Sequence, residues 1–426
     1  MAQSYGTILD PHRRLKEPLG IKGIRQSIVI SNNPSTISAD QILTVRFPNL
    51  GANDVIVPGT ARLAFKIDLE SEDDANRTVV NNLGRAIIKK ITIKLEGREV
   101  MSLSNSDIFL IYCDLWLTEN ERKDFVYQGI QNANGIKHRI EAGDATANKK
   151  DEAVAAVYGN RFCIPLDFEL LSTHLPYYQG ALKDRLSYEL TFNNHGKVIN
   201  STDVEAKYTI FDISLEFDIV HHAELARLIA QQYQSRVAVY YERVLHHSTL
   251  QKSKKDTIWN LNLNTPSRSL KGILMLFEEE TEPFGRKSEQ FYNPKISKLT
   301  CTIEGRPNQV YASGLLPYQH FDEVRKLFAG GRLRNPTADL VSKDLHLHDV
   351  RVDEYLTKKY ALWLDLRTTE DNKLHGSGRR IENGSEGITI QINKEAEDDK
   401  PVNIHLYVLS DAQLNIEDTR LKDVVY

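Results

Sequence analysis

The stretch KITIKLEGR at residues 90–98 is repeated in related form as KLTCTIEGR at residues 298–306. The two stretches begin 208 residues apart, close to half of this 426-residue chain. Repetition at that spacing predicts two copies of one fold rather than one large domain. The elements around each stretch agree, because a strand-like run precedes it (62–69 and 272–277) and a helix-like run follows it (106–125 and 318–329).

Each repeated stretch has the pattern of a strand that ends in a tight turn. Apolar and polar residues alternate along it, so one face is predicted to be buried. The apolar residues are Ile91, Ile93 and Leu95 in the first copy and Leu299, Cys301 and Ile303 in the second. Glu96-Gly97 and Glu304-Gly305 follow, and glycine tolerates the positive φ that a two-residue hairpin requires.

The same alternation recurs along both halves of the chain. It is clear in residues 186–193, in 388–392, in 404–408 and in 211–219, where the apolar series is expected to begin at Phe211. About eight such strands occur in each half. With long loops and few helices, this favours an all-β chain of two tandem eight-stranded jelly-roll β-sandwiches with short helices in loops, rather than immunoglobulin-like sandwiches.

The strand pattern and its interruptions predict the domain boundaries. We expect an N-terminal arm at residues 1–24, a first jelly roll at 25–222, a connecting helix at 223–235, a second jelly roll at 236–418 and a polar C-terminal tail at 419–426. Residues 131–151 and 278–290 are expected to be exposed loops because they are polar and contain turn-forming residues.

Composition places the chain among globular proteins. It has 41% hydrophobic and 26% charged residues, enough for two cores. No stretch approaches the roughly 20 apolar residues of a membrane span, and residues 1–20 lack the apolar segment of a secretory signal. Three scattered cysteines, Cys113, Cys163 and Cys301, argue against a disulfide framework and favour a reducing compartment. A net charge of −4 gives no electrostatic case for binding a nucleic-acid backbone.

No catalytic, cofactor-binding or metal-binding residues are predicted. The chain contains no nucleophile elbow, phosphate-binding loop or Cys-x-x-Cys pair. His346, His348 and Glu354 resemble part of a cupin metal set, since two histidines two apart share one face of a strand. The spacing to the glutamate is longer than in cupins, no convincing last histidine follows, and the first copy has no equivalent. These residues are therefore expected to bind no metal.

Five stretches carry a resemblance to a known family. They are NLGANDVIVPGT (49–60), NLGRAIIKK (82–90), YGNRF (158–162), GSGRRIEN (376–383) and DAQLNIED (411–418). Together they resemble the major capsid proteins of Polinton (Maverick) elements and adintoviruses, over roughly residues 25–418. No single signature is diagnostic.

The resemblance implies a double jelly roll, without catalytic residues, that forms homotrimeric, pseudo-hexagonal capsomers of an icosahedral shell. It further implies a virion location after synthesis in the host cytoplasm, assembly there or in the nucleus, and contacts with neighbouring capsomers, penton and minor capsid proteins. Residues 175–178 and 315–318 are candidate interface elements, with local loop packing as the alternative.

Two other functions fit the fold class. One is a two-domain jelly-roll carbohydrate-binding protein, which is less favoured because Trp116, Trp259 and Trp363 are scattered rather than clustered as a sugar-binding platform. The other is the bicupin-type metalloenzyme considered above.

Overall fold

The computed structural model describes residues 23–29, 36–48, 50–57, 59–70, 78–117, 119–141, 159–166, 185–308, 311, 313–328, 350–368, 378–381 and 387–426. The predicted N-terminal arm up to residue 22 and the predicted interface element at 175–178 lie outside these ranges.

Strands dominate both halves of the chain. The first half contains β1 Gly23–Val29, β2 Thr36–Ser38, β3 Ile42–Arg46, β4 Asp54–Ile56, β5 Arg62–Glu70, β6 Thr78–Val79, β7 Ile88–Leu95, β8 Arg98–Ser104, β9 Arg161–Pro165, β10 Leu186–Phe192, β11 Ile199–Asn200 and β12 Lys207–His221. The second contains β13 Val237–Lys252, β14 Ile258–Leu263, β15 Ser267–Glu279, β16 Ile296–Ile303, β17 Arg306–Pro307, β18 Ala361–Asp365, β19 Arg379–Ile381, β20 Ile388–Lys394, β21 Val402–Glu417 and β22 Arg420–Val425.

Helices are short and lie between the strands. They are α1 Leu83–Ala86, α2 Ser106–Asp114, α3 Glu119–Asp124, α4 Ala133–Glu141, α5 His195–Val198, α6 Ala223–Gln234, α7 Pro317–Phe328 and α8 Val352–Lys358, with one 3-10 turn at Val126–Gln128. The predicted connecting helix corresponds to α6, whose first turn is capped by His222 Nδ1 accepting the backbone N–H of Leu225 at 3.1 Å.

The sheets confirm the predicted double jelly roll. In the first half, one sheet has the order β1-β12-β5-β9 and the other β3-β10-β7-β8. In the second half the orders are β13-β21-β15-β18 and β14-β20-β16-β17. The eight strands of these two sheets can be numbered 1 to 8 in chain order within each half. In both halves the sheets then have the orders 1-8-3-6 and 2-7-4-5, so the two halves share one topology.

The repeated stretches occupy the same place in the two folds. β7 pairs with β10 and β8, and β16 pairs with β20 and β17. The turns also match, since φ is 47° at Glu96 and 78° at Gly97, against 50° at Glu304 and 73° at Gly305. Two successive residues with positive φ are typical of the hairpin turns that suit the twist of paired strands. The duplication prediction is confirmed.

The prediction for residues 211–219 was wrong at its first residue. A β-bulge interrupts the pairing of β12 with β5 between Phe211 and Ser214, and Asp212 within it has φ of 51°. The extra residue shifts the alternation. Ile210 and Ile213 are therefore buried, whereas Phe211 is only half-buried.

Three further expectations differ from the structure. The predicted loop at 131–151 contains α4 in its described part. The predicted exposed loop at 278–290 begins within β15 and contains Arg286, which is 3% exposed. The predicted tail at 419–426 forms β22, which pairs with β21 through a turn where φ is positive at Asp418 and Thr419.

The chain divides into two compact units that do not follow its sequence order throughout. The first consists of the described residues up to Leu103, Phe125–Glu242 and Ala412–Val425. The second consists of Ser104–Asp124, Arg243–Asp411 and Tyr426. The predicted domain boundaries at residues 222 and 236 remain predictions.

Within the second unit, α2 covers the outer face of a sheet. Trp259 of β14 stacks on Phe277 of β15, so Phe277 points into the sandwich. Leu274 and Leu276 alternate with it and point outward, yet both are fully buried. Tyr407, paired with Leu274, contacts Phe109 of α2 with ring centroids 5.1 Å apart. An apolar outer face thus explains why a segment from the first half belongs to this unit.

Candidate functional site

Each unit exposes an isoleucine at the same position of an edge strand. Leu186 of β10 pairs with Leu95 of β7, and Thr191, five residues further along β10, pairs with Ile42 of β3. In the second unit, Ile388 of β20 pairs with Ile303 of β16, and Asn393, five residues further along β20, pairs with Ile258 of β14. Ile42 is 63% exposed and Ile258 is 55% exposed. Large apolar side chains at equivalent exposed positions mark a candidate contact surface in each unit.

The edge strand β14 lacks the charges that usually protect an edge. Its exposed residues are Ile258, Asn260 and Asn262. In the described part of the chain β14 pairs with β20 and β3 pairs with β10, so both stand at the end of their sheets. Proteins commonly place lysine, proline or a bulge on such edges to prevent pairing with other chains. β3 has one exposed charge, at Arg46.

The candidate interface element at residues 315–318 divides into buried and exposed parts. Leu315 is buried and pairs with Leu299 through reciprocal backbone hydrogen bonds of 2.7 and 3.1 Å. Leu316 is partly exposed and Tyr318 is 76% exposed. Local packing therefore accounts for the first residue, while Tyr318 remains available for contacts.

A row of ionisable side chains is buried or half-buried in the second unit. Arg286 Nη1 lies 2.8 Å from Asp107 Oδ2, and Arg286 Nη2 lies 3.6 Å from Glu278 Oε1. The other carboxylate oxygen of Glu278 is 3.2 Å from His405 Nε2. Burial opposes the charge on the guanidinium, but Asp107 and Glu278 outweigh it and raise the pKa of Arg286. This row links the first turn of α2 to β15 and β21.

The row continues through uncharged groups. Thr249 Oγ1 is 3.0 Å from His405 Nδ1 and 3.2 Å from His246 Nε2. Asn105 Nδ2 is 3.2 Å from Thr249 Oγ1 and 3.4 Å from His246 Nε2. The hydroxyl of Tyr407 donates to the backbone carbonyl of Asn105 at 2.8 Å. Because Asn105 directly precedes α2, these contacts fix the start of that helix. We name the charged row and its continuation the α2 network.

The α2 network contains a hydroxyl, an imidazole and a carboxylate in the order used by nucleophilic enzymes. Thr249, His405 and Glu278 form that series. The Thr249 hydroxyl is also held by Asn105 and by a second imidazole, that of His246. We therefore interpret the series as a structural link rather than as an active site.

Burial keeps one imidazole of the network neutral near pH 7. It lowers the pKa of His246 to about 4, with further lowering by His405 and His247. Burial also raises the pKa of Tyr407 well above its usual value. Both groups are therefore uncharged hydrogen-bonding partners at neutral pH.

The structure brings no metal-binding group together among the described residues. Within those ranges, no three histidine, cysteine, aspartate or glutamate side chains are placed to hold an ion. His346 and His348 lie outside the described residues, and Glu354 on α8 pairs with Lys359 Nζ at 2.8 Å. That these residues bind no metal remains a prediction.

Cysteines and tryptophans lie mainly in the cores. All three cysteines are free thiols, and burial raises the pKa of Cys301 to about 12. Trp116, Trp259 and Trp363 are buried, so they do not form a sugar-binding platform. None of the helices in the described ranges has the length and apolar character needed to cross a membrane.

Solved structures similar to this chain are capsid proteins. A chain of the "PBCV-1 virus capsid, quasi-atomic model" aligns over 97% of this chain and 99% of its own, with a TM-score of 0.61 and 11% identity. The Faustovirus major capsid protein aligns over 96% and 93%, with a TM-score of 0.55 and 9% identity. The mavirus major capsid protein aligns over 97% and 92%, with a TM-score of 0.53 and 11% identity. At these identities the similarity establishes the double jelly-roll fold.

No family model matches the chain, and no curated protein matches its sequence. The similarity is therefore one of structure, spread over nearly the whole chain and independent of any single motif.

Proposed function

We propose that this chain is the major structural subunit of an icosahedral viral capsid. The observation that carries the proposal is the full-length match of its paired jelly rolls to a PBCV-1 capsid chain, covering 97% of one chain and 99% of the other. Among the described residues we find no feature that favours another function, because the α2 network holds the start of a helix. A structural role agrees with two cores whose exposed large apolar residues include Ile42 and Ile258 on edge strands.

We further propose that three copies form a capsomer. Two jelly rolls in each chain give six similar units around a three-fold axis, and six units fill a hexagonal position of a shell. Equivalent exposed residues on the two units support this arrangement, because each unit would present one edge to a neighbour. Ile42 and Ile258 are then expected to lie at contacts between jelly rolls of adjacent chains.

The lineage and setting are proposals that rest on the sequence resemblance. We place the chain with the major capsid proteins of Polinton elements and adintoviruses, in the virion, with penton and minor capsid proteins as partners. Residues 1–20 are proposed to contact an adjacent subunit or capsomer, and residue Tyr318 to contribute to the trimer.

The assembly proposal is tested with charge substitutions. Ile42→Glu and Ile258→Glu would bury an unpaired carboxylate at each contact, which weakens association about tenfold or more per contact. Val204→Glu is the matched control, because Val204 is 69% exposed but lies outside the strands. Light scattering and electron microscopy of the full-length protein should show trimers and particles for the wild type and control, and monomers for the two edge variants.

One result would overturn the capsid proposal, and a second would overturn only the placement of the interface. A wild-type protein that stays monomeric at micromolar concentration, without particles at any salt concentration, would exclude the capsid role. Trimers that persist in both edge variants would leave the capsid role intact but remove these edges from the interface.

Deletion of residues 1–20 separates folding from assembly. The truncated protein should keep its circular dichroism and melting temperature while forming fewer particles, because those residues are proposed to contact neighbours rather than the cores. A lower melting temperature, or unchanged particle yield, would contradict this role of the N-terminal segment.

A further inference from the structure

The first unit holds one of the two repeated turns against a strand from the end of the chain. Arg98, which ends the repeated stretch, donates from Nη1 to the backbone carbonyls of Leu421 at 3.2 Å and Lys422 at 2.9 Å. Both acceptors lie on β22, which comes from the second half of the sequence but belongs to the first unit. Leu421 is buried there. The turn after β7 is therefore a docking site for an extended backbone.

A second contact covers the edge strand that follows this turn. The hydroxyl of Tyr241 donates to the backbone carbonyl of Val100 on β8 at 2.7 Å. Tyr241 is on β13, another strand of the second half, and it is fully buried within the first unit. In the described part of the chain β8 stands at the end of its sheet. The covering strands thus protect an edge that could otherwise pair with other chains.

The equivalent turn of the second unit has no such covering strand among the described residues. Arg306 occupies the position of Arg98, and φ in the preceding Glu-Gly pair is nearly the same. Arg306 is exposed and forms no hydrogen bond or ion pair within the described ranges. β17, the edge strand that begins with it, pairs there with β16 alone. Of two matching docking sites, one is covered within the chain and the other is exposed.

The register of the sheets identifies the counterpart of β22. In the second half, β15 pairs with β21 as far as Ser410, and β22 takes the place of β15 from Gln413 onward. In the first half, β5 pairs with β12 as far as Glu216, and β4 takes the place of β5 from Ile219 onward. The change of partner spans three residues of the strand in both halves, from 410 to 413 and from 216 to 219. β4 is therefore the counterpart of β22 in the first jelly roll.

The same register identifies the acceptors. Counted from the last residue paired with β15 or β5, the fifth residue pairs with Asp423 in the second half and with Asp54 in the first. Lys422, an acceptor in the first unit, directly precedes Asp423. Its counterpart is Asn53, which directly precedes Asp54. The turn before β4 is therefore the expected acceptor for Arg306.

The turn before β4 is closed by its own hydrogen bonds. The N–H of Asp54 donates to the carbonyl of Gly51 at 3.1 Å, and the carboxylate of Asp54 accepts the N–H of Gly51 at 2.9 Å. The carbonyl of Asn53 accepts one backbone N–H and can accept a second hydrogen. The carboxylate of Asp54, which also contacts His221, adds an acidic group beside these carbonyls. The turn thus offers an arginine a pre-formed partner.

We propose that the turn at residues 304–306 of one copy docks on the turn before β4 of the next copy, with Arg306 donating to the backbone carbonyls of Ala52 and Asn53. The inference rests on the proposed trimer and assigns residues to one of its contacts. Such a contact joins the second unit of one copy to the first unit of the next. Contacts between unlike surfaces close into a ring when the rotation between copies is three-fold.

The variant Arg306→Ala tests the contact in the full-length protein. A hydrogen bond from a charged donor contributes at least about tenfold to affinity, and a three-fold ring contains three such contacts. The dissociation constant of the trimer, measured by analytical ultracentrifugation, should therefore rise by about three orders of magnitude. Arg351→Ala is the matched control and should leave the constant unchanged. Arg351 is an exposed arginine of the same unit that forms no side-chain cap at α8.

A mixed cross-linking experiment identifies the partner turn. The variants Ala52→Cys and Arg306→Cys are prepared separately, mixed, left to exchange subunits and treated with a short bis-maleimide. Ala52 is exposed, so a cysteine there is accessible. Dimers that join one copy of each variant should form, as identified by mass spectrometry of the linked peptides. Because the two cysteines start on different chains, such a product joins two copies. Ala52→Cys mixed with Arg351→Cys should give no more dimer than the wild type.

The outcomes separate this contact from the trimer itself. A wild type that stays monomeric would overturn the trimer proposal and this inference with it. A trimeric wild type with an unchanged dissociation constant in Arg306→Ala would overturn the docking site alone. A weakened Arg306→Ala trimer without cross-links between residues 52 and 306 would overturn the assignment of the turn before β4 as the partner.

Discussion

Arg139 is expected to be essential for the stability of the first unit. Its side chain is fully buried on α4 and donates to three backbone carbonyls, of Val126 at 2.7 Å, Gly159 at 3.2 Å and Arg161 at 2.6 Å. The guanidinium also lies 4.3 Å from the ring centroid of Phe162. One side chain thus holds α4, the 3-10 turn and the start of β9 together.

The magnitude follows from those three hydrogen bonds. A hydrogen bond from a charged donor is worth about 1.5–3 kcal/mol, and an unsatisfied buried carbonyl costs about 1–3 kcal/mol. Arg139→Met fills much of the volume and removes a buried charge, which recovers part of the loss. We therefore expect a net destabilisation of about 3 kcal/mol. Lys137→Met on the same helix, at a half-buried position, is the matched control and should cost under about 0.5 kcal/mol.

Urea unfolding with two probes measures the effect. Trp116, Trp259 and Trp363, the only tryptophans of the chain, all belong to the second unit, so their fluorescence reports on that unit. Circular dichroism reports on both. With a slope of about 2 kcal/mol per molar urea, Arg139→Met should lower the midpoint of the transition seen by circular dichroism by about 1.5 M. A shift no larger than that of Lys137→Met would refute the reasoning.

Three other predictions follow from buried groups. Gly84→Ala should destabilise the first unit by more than about 2 kcal/mol, because the new Cβ would lie 1.9 Å from a backbone carbonyl oxygen. Gly97→Ala, with φ of 78° and no atom within 4 Å of the added Cβ, should cost only about 1 kcal/mol in the same urea assay, and equal losses would contradict this. Asp398→Asn should cost about 3–5 kcal/mol by calorimetry, since it leaves the buried ammonium of Lys394 without its carboxylate, and an unchanged melting temperature would disprove it. Burial lowers the pKa of His320 to about 4, so between pH 6.5 and 4 the unfolded chain binds a proton that the folded chain does not. The free energy of unfolding should therefore fall by up to about 1.4 kcal/mol per pH unit between pH 6.5 and 4, and His320→Gln should reduce that slope. An equal slope in the variant and the wild type would contradict a neutral His320 in the folded protein.

The sequence predicted the fold well because the information is local. Alternation with period two identifies the buried face of a strand from the strand alone, and the Glu-Gly pairs at 96–97 and 304–305 identify the turns. The bulge at Asp212 was missed because it changes the register by one residue without any glycine or proline to mark it. The capping of α4 carried a usable signal, since Asn132 Oδ1 accepts the N–H of Gly135 at 2.8 Å.

The candidate surfaces were missed because their meaning depends on the partner strands. Ile42 and Ile258 are equivalent in register but stand 216 residues apart, eight more than the repeated stretch, since intervening loops differ in length. The α2 network was also invisible, because its members lie between residues 105 and 407 and none belongs to a motif. Polar residues that come into contact only after folding have no characteristic spacing in the sequence, so their contacts cannot be predicted from it.

The placement of α2 has a consequence for how the protein is made. Translation delivers residues 104–124 to the ribosome exit well before β15, and nearly 300 residues before β21, which together form the surface that α2 covers. Until then the apolar side of the nascent helix has no place to dock, although domains usually fold as units while they emerge. The second half expressed alone would in turn leave Leu274 and Leu276 bare. A cut between the two halves of the sequence would therefore remove residues 104–124 from the second unit and residues 412–425 from the first.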